Sequence, residues 1–214
     1  MLISMTIITG LSVAVVLWAD ATGRRSVRGV AKTAASTAFI AVGVSAGMLN
    51  SGWLGGLLVA ALLLSAVGDI ALIGKSKAAV AGGLGAFLLA HVAYGAAFWV
   101  RGVSLFGVIL ALVVLLPATL SIWRWLMPHT GRLRTAVAAY ILVITGMVTL
   151  AMASAGYVQG NASRLLFAAT VVFFVSDICV ARERFVSPSL WNRRIGLPLY
   201  YAAQLALAHW MLIP

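Results

Sequence analysis

The stretch from Val103 to Ile122, VSLFGVILALVVLLPATLSI, decides the fold of this chain. It carries no charged residue and contains only a few small hydroxyl side chains. A run of about 20 apolar residues is the length of a helix that crosses a bilayer at about 1.5 Å per residue. The runs in this chain also lack the strict alternation of a barrel strand. Similar runs fill the rest of the sequence. Of 214 residues, 63% are hydrophobic and only 9% are charged, against roughly 25% charged in a soluble domain. A soluble chain of this composition would have too little polar surface to face water.

Working outward from Val103 to Ile122, the expected spans are Leu2–Ala19, Val30–Leu49, Trp53–Ile73 and Ala78–Val100 before it. After it come Leu133–Ala155, Arg164–Ala181 and Leu197–Ile213. The chain is therefore expected to be all-α: a single transmembrane domain, residues 1–214, folded as a polytopic bundle of eight helices. Thirteen of the fifteen basic residues fall in or beside the loops after the first, third, fifth and seventh spans. These are Arg24, Arg25, Arg28 and Lys32, then Lys75 and Lys77, then Arg124, Arg132 and Arg134, then Arg182, Arg184, Arg193 and Arg194. The opposite side has only Arg101 and Arg164. Basic loops stay on the cytoplasmic side, so both termini are expected outside. The first apolar run is preceded by no positive charge and followed by several, which favours a retained first helix over a cleaved signal.

The net charge of +11 is explained by these loops. The basic residues form no stripe with interleaved aromatics, so no nucleic-acid partner is expected. Cys179, the single cysteine, lies inside an apolar run and reads as packing. The glycines at 52, 55, 56, 82, 83 and 85 suggest close helix packing, and Pro117 is a candidate kink. No internal repeat is evident.

The chemistry is concentrated in a few residues. Asp20 and Glu183 sit at helix ends beside basic residues and read as solvated charges. Asp69 and Asp177 instead lie inside apolar helices, where an ionised carboxylate costs roughly 2.5–3.5 kcal/mol or more unless paired. Counting back from Lys75 and Arg182 places both roughly 8–9 Å inside the basic boundary. Two carboxyls at one depth could face one cavity and share a proton, with the helices after residues 53, 78, 164 and 197 supplying most of the lining. Lys32, Tyr140, Tyr200, Tyr201 and Gln204 fall near the same level, and His91 about 10 Å deeper by the same count. Each has a plainer reading. The aspartates could be hydrogen-bonded packing residues, Lys32 could snorkel to the headgroups, His91 could be a core histidine, and the tyrosines could be interfacial. His209 reads as packing. No Glu-x-x-His or His-x-x-x-His spacing is present, so no metal site and no cofactor are expected. Between the two acids, Asp69 is the marginal choice as proton donor. No basic residue lies within five positions of it, whereas Arg182 is five from Asp177.

These residues also carry a resemblance. Gly68-Asp69-Ile70, the segment Ala86 to Tyr94 containing His91, Ser176-Asp177 followed by Arg184-Phe185, and Tyr200-Tyr201-Ala202-Ala203-Gln204 resemble, in order and spacing, motifs of the YhhN/TMEM86 family of membrane lysoplasmalogenases. That family often carries Lys-Pro in its second helix; here Lys32 is followed by Thr33. The resemblance implies a hydrolase acting on lysoplasmalogens, lysophospholipids with a vinyl ether chain, with a fatty aldehyde and a glycerophospho-ethanolamine or -choline as products. Asp69 and Asp177 would be catalytic, with Lys32, His91, Tyr140, Tyr200, Tyr201 and Gln204 in support. The expected partners are a lysophospholipid and the bilayer, and the expected setting is a bacterial inner (cell) membrane. A small proton-coupled transporter and a non-catalytic lipid-binding protein are the competing classes.

Overall fold

The structure is a computed structural model that describes residues 1–74 and 76–212. Lys75 of the second basic loop, and Ile213 and Pro214 at the expected end of the last span, lie outside the described residues. Among the described residues there are eight long helices and no strands: α1 (Leu2–Ala21), α2 (Arg25–Ser45), α3 (Gly52–Ala71), α4 (Lys77–Arg101), α5 (Leu105–Leu126), α6 (Arg134–Tyr157), α7 (Asn161–Ala181) and α8 (Leu190–His209). The first seven are long and apolar enough to cross a bilayer. The 20-residue α8 has the length, but its first two turns carry Asn192, Arg193 and Arg194. The chain is a multi-pass membrane protein.

Two boundaries differ from the sequence reading in a way that matters for the site. α2 begins at Arg25, five residues before the expected Val30, because three arginines at an aqueous boundary extend the helix instead of ending it. Lys32 therefore sits on the second turn of a formed helix. Similarly, α8 begins at Leu190, seven residues early, with the Ser189 hydroxyl accepting from the Trp191 N–H as its cap. Pro198 then lies inside the helix. The remaining boundaries agree within about four residues.

Most successive helices pack against each other, with α3 against α4, α1 against α2, α7 against α8 and α5 against α6 the most extensive pairs. Between them, α2, α3, α4, α6, α7 and α8 enclose a core whose largest buried side chains include Phe39, Tyr94, Phe98, Phe173 and Tyr201. α5 is peripheral; it packs mainly on α6 and turns Leu105, Phe106, Val113 and Val114 outward. Glycine permits the closest approaches. A Cβ on Gly55 would lie 1.7 Å from the Met48 carbonyl oxygen, and one on Gly196 would lie 2.8 Å from the Cys179 Cβ. Cys179 is thus a packing contact between α7 and α8, as expected.

Both ends of the bundle are fastened by charge. At the basic end Asp20 pairs with Arg28 at 2.8 Å and with Arg193 at 4.0 Å, and Glu183 pairs with Arg193 at 3.5 Å. Glu183 also accepts from the Ser189 N–H and from Asn192. Asp20 and Glu183 were expected to be solvated loop charges. They are instead mostly buried, joining α1, α2, α8 and the π-helical turn Arg182–Val186 that follows α7. The opposite end is tied by Arg101. Arg101 donates to Ser154 and Ser163 and stacks on Trp210 at 5.1 Å. His209 bridges α8 to Thr6 of α1 at 3.1 Å and contacts the Leu205 carbonyl at 2.8 Å, which is the packing role expected for it.

If α8 crosses the bilayer as the first seven helices can, reporters fused before α1 and after α8 are expected to report the same side, opposite the basic loops after α1, α3, α5 and α7. A cytoplasmic reporter signal at either end would reverse the charge-based orientation.

Candidate functional site

Two polar clusters are buried in the core, each built on one of the intramembrane aspartates. The first centres on Asp69, near the end of α3 and 2% exposed. Lys32 of α2 reaches it with Nζ 3.0 Å from Oδ1, and the same ammonium donates to the Asp69 backbone carbonyl at 3.1 Å. Oδ2 receives the hydroxyls of Ser36 at 2.6 Å, Tyr200 at 2.8 Å and Tyr201 at 3.4 Å. One cation and three hydroxyl donors on a single buried carboxylate are the arrangement that holds its negative charge. Of the open readings for Lys32, pairing is the one observed: the side chain turns inward to Asp69. It can do so because α2 is already helical at Lys32, which sets Lys32 and Ser36 one turn apart on the face toward α3.

The second cluster centres on Asp177 of α7, whose side chain is 14% exposed. Tyr140 of α6 donates to Oδ2 at 2.7 Å, and His91 Nε2 of α4 lies 3.4 Å from the same oxygen. His91 Nδ1 is 2.6 Å from the Phe87 carbonyl. A carbonyl only accepts, so Nδ1 carries a hydrogen. Nε2 faces Asp177 Oδ2 without forming a hydrogen bond to it, so the imidazole and the carboxyl are close neighbours and Tyr140 is the group bonded to the acid. The sequence count placed His91 about 10 Å deeper than the carboxylates. The side chains nevertheless approach to 3.4 Å, because counting from loop charges assumes that every helix starts at the same plane.

No hydrogen bond joins the two aspartates. A wall of rings lies between their clusters: Tyr200 meets Phe173 edge-on at 5.5 Å, Phe173 meets His91 at 4.8 Å, and His91 meets Tyr140 at 5.3 Å. Phe87 closes the wall against Tyr200 at 5.6 Å. It also packs where a Cβ on Gly68 would fall, 2.7 Å from its ring, which accounts for a glycine beside Asp69. The expected helices α3, α4, α7 and α8 all contribute, and α2 and α6 join them.

A third polar group lies one turn deeper. Tyr94 donates to Gln204 Oε1 at 2.6 Å. Gln204 Nε2 and the Ser65 hydroxyl are buried without a hydrogen-bond partner. Ser36, Ser65 and Tyr94 were missed in the sequence, although helical spacing marks them. Ser36 follows Lys32 by four residues, Ser65 precedes Asp69 by four, and Tyr94 follows His91 by three, so each shares a face with its neighbour. Among the described residues no three His, Cys, Asp or Glu side chains converge as metal ligands.

The profile of the YhhN family matches residues 27–211, a range that contains both clusters. The chain is 32% identical over 152 residues to a protein named lysoplasmalogenase TMEM86A from Bos taurus, an alignment covering 69% of this chain and 61% of that one. It is also 32% identical over 151 residues to proteins named lysoplasmalogenase from Mycobacterium bovis and Mycobacterium tuberculosis, covering 68% of this chain and 55% of each of them. The chain thus spans between about half and two thirds of the length of these relatives. No solved structure is significantly similar to it.

Proposed function

This chain belongs to the YhhN family, and from that premise we propose that it is a membrane hydrolase cleaving the vinyl ether bond of lysoplasmalogens. The products are a fatty aldehyde and a glycerophospho-ethanolamine or -choline, and the setting is a bacterial inner membrane. The observation that carries the reading is the unequal equipment of the two aspartates. Asp69 is held by Lys32 and three hydroxyls, whereas Asp177 has only the Tyr140 hydroxyl, with His91 Nε2 3.4 Å away.

Vinyl ether hydrolysis needs those two characters. A proton goes to the vinyl carbon remote from oxygen, and the carbon bonded to oxygen becomes an oxocarbenium ion. Water adds there and gives up a proton. The resulting hemiacetal breaks its bond to the glycerol oxygen, which takes a proton and leaves. Asp177, poised with His91, is suited to deliver the first proton and to take one back from water. Asp69, paired with Lys32 on the far side of the ring wall, is suited to favour the cation through the electrostatic field it sets at the site. This reverses the assignment made from sequence neighbours, because Lys32, distant in sequence, is adjacent to Asp69 in space. The chemistry requires no serine or cysteine nucleophile, and a bundle interior gives the lipid-borne bond a place shielded from bulk water.

Product analysis tests the reading. Purified protein incubated with a lysoplasmalogen is expected to release free aldehyde and water-soluble glycerophospho product. A transporter would release none and would drive proton flux in liposomes instead.

A further inference from the structure

An apolar groove of about 470 Å3 follows the seam between α4 and α6. His91 is at one end, and Gly95, Trp99, Val143, Gly146 and Leu150 line its length. The volume falls within the roughly 300–1,000 Å3 of small-molecule sites. From His91 to Trp99 the groove covers eight residues of helix, about 12 Å at 1.5 Å per residue, directed away from the basic end of the bundle. His91 is the one titratable side chain in its wall. Its Nε2 has no hydrogen-bond partner and faces Asp177. The groove is therefore an apolar, lipid-facing channel closed at one end by the buried His91 ring, whose Nε2 side belongs to the second cluster. A larger apolar groove of about 910 Å3 lies on the outer face of α2 beside Met5 and Ile8, but no member of either cluster lines it.

We infer that the α4–α6 groove holds the hydrocarbon chain of a single-chain lipid whose reacting end lies at His91 and Asp177, and that its width selects the chain. The occupant's identity as a lysolipid rests on the proposed hydrolase reading. In a bilayer an apolar wall alone gains little, because lipid tails are as apolar as the wall. Selection arises because the polar end is tethered at the site, so the chain beyond it must follow the seam between the two helices. Gly95 and Gly146 keep that seam open. A Cβ on Gly146 would meet no atom within 4 Å, so the space beside it is available to a ligand and equally to a larger side chain.

The test uses Gly146→Phe, with the milder Gly146→Ala as a second variant that adds one carbon where there is room. Two readouts are taken over a series of chain lengths: kcat/KM for aldehyde release from vinyl ether lysolipids, and affinity for the corresponding alkyl ether lysolipids, which have no vinyl bond to cleave. Gly146→Phe is expected to raise the short-to-long preference at least about 10-fold in both readouts, the scale of a filled hydrocarbon pocket, and Gly146→Ala to move it in the same direction. Val113→Phe, on the exposed face of α5, is expected to leave the preference unchanged. A shift in alkyl ether affinity with no aldehyde from the unmodified protein would support the groove and overturn the hydrolase. An unchanged preference in both Gly146 variants, or an equal change at every chain length, would overturn the groove while leaving the hydrolase standing.

Discussion

Replacing Asp177 with asparagine is expected to lower aldehyde release by at least about 10²-fold, the usual loss when an acid–base group is removed, with the protein still folded. Asparagine preserves the cluster's hydrogen bonds. With its Oδ1 in the place of the present Oδ2, it still accepts from Tyr140 at 2.7 Å, the one side-chain hydrogen bond that Asp177 makes among the described residues. What it lacks is a transferable proton. A thermal melt in detergent close to that of the unmodified protein, together with collapsed turnover, would separate chemistry from folding. Undiminished aldehyde release by Asp177→Asn would remove this residue from the mechanism.

The Lys32–Asp69 pair should behave in the opposite way, with a large effect on stability. Lys32→Met leaves the Asp69 carboxylate buried with hydroxyl donors alone, and Asp69→Asn leaves the Lys32 ammonium buried without a counter-charge. Breaking a buried pair from one side costs about 3–5 kcal/mol, because the remaining charge is uncompensated. The double variant Lys32→Met/Asp69→Asn removes both charges and is expected to be more stable than either single variant, while releasing as little aldehyde as Asp69→Asn. A double-mutant cycle on thermal or denaturant unfolding reads the coupling directly. Additive losses would show that the two groups do not depend on each other, and an active double variant would show that the charge on Asp69 has no part in turnover.

The architecture was legible because the signal is coarse. Uncharged runs such as Val103 to Ile122 permit little besides a spanning helix, and the placement of arginine and lysine sorted the loops to two sides. The two polar clusters were legible as a set of candidate residues but not in their wiring. Asp69 and Asp177 stood out because a carboxylate inside an apolar helix is costly, and Tyr140, Tyr200, Tyr201 and Gln204 followed from depth. Lys32 was ambiguous because, two residues into the expected span and close to Arg25 and Arg28, it could equally snorkel to the headgroups. The start of α8 was hidden in the same way by Arg193 and Arg194. Rotation about each helix axis, which decides that Lys32 meets Asp69 while His91 meets Asp177, is set by packing between helices. It leaves no trace in a charge count or a run length. Asp20 and Glu183 show the same limit: proximity in sequence to arginines suggested solvation, yet their partners come largely from other helices.

The central claim is that this chain breaks the vinyl carbon–oxygen bond after protonating carbon. Its most direct test is hydrolysis of a lysoplasmalogen by the purified protein in heavy-oxygen water made with deuterium, with both products weighed by mass spectrometry immediately after reduction of the aldehyde. The account predicts an aldehyde-derived alcohol carrying solvent deuterium on the carbon next to the former carbonyl, and a glycerophospho product with no heavy oxygen, because the glycerol oxygen is never exchanged. Absence of aldehyde above an enzyme-free blank, or heavy oxygen in the glycerophospho product, would contradict it.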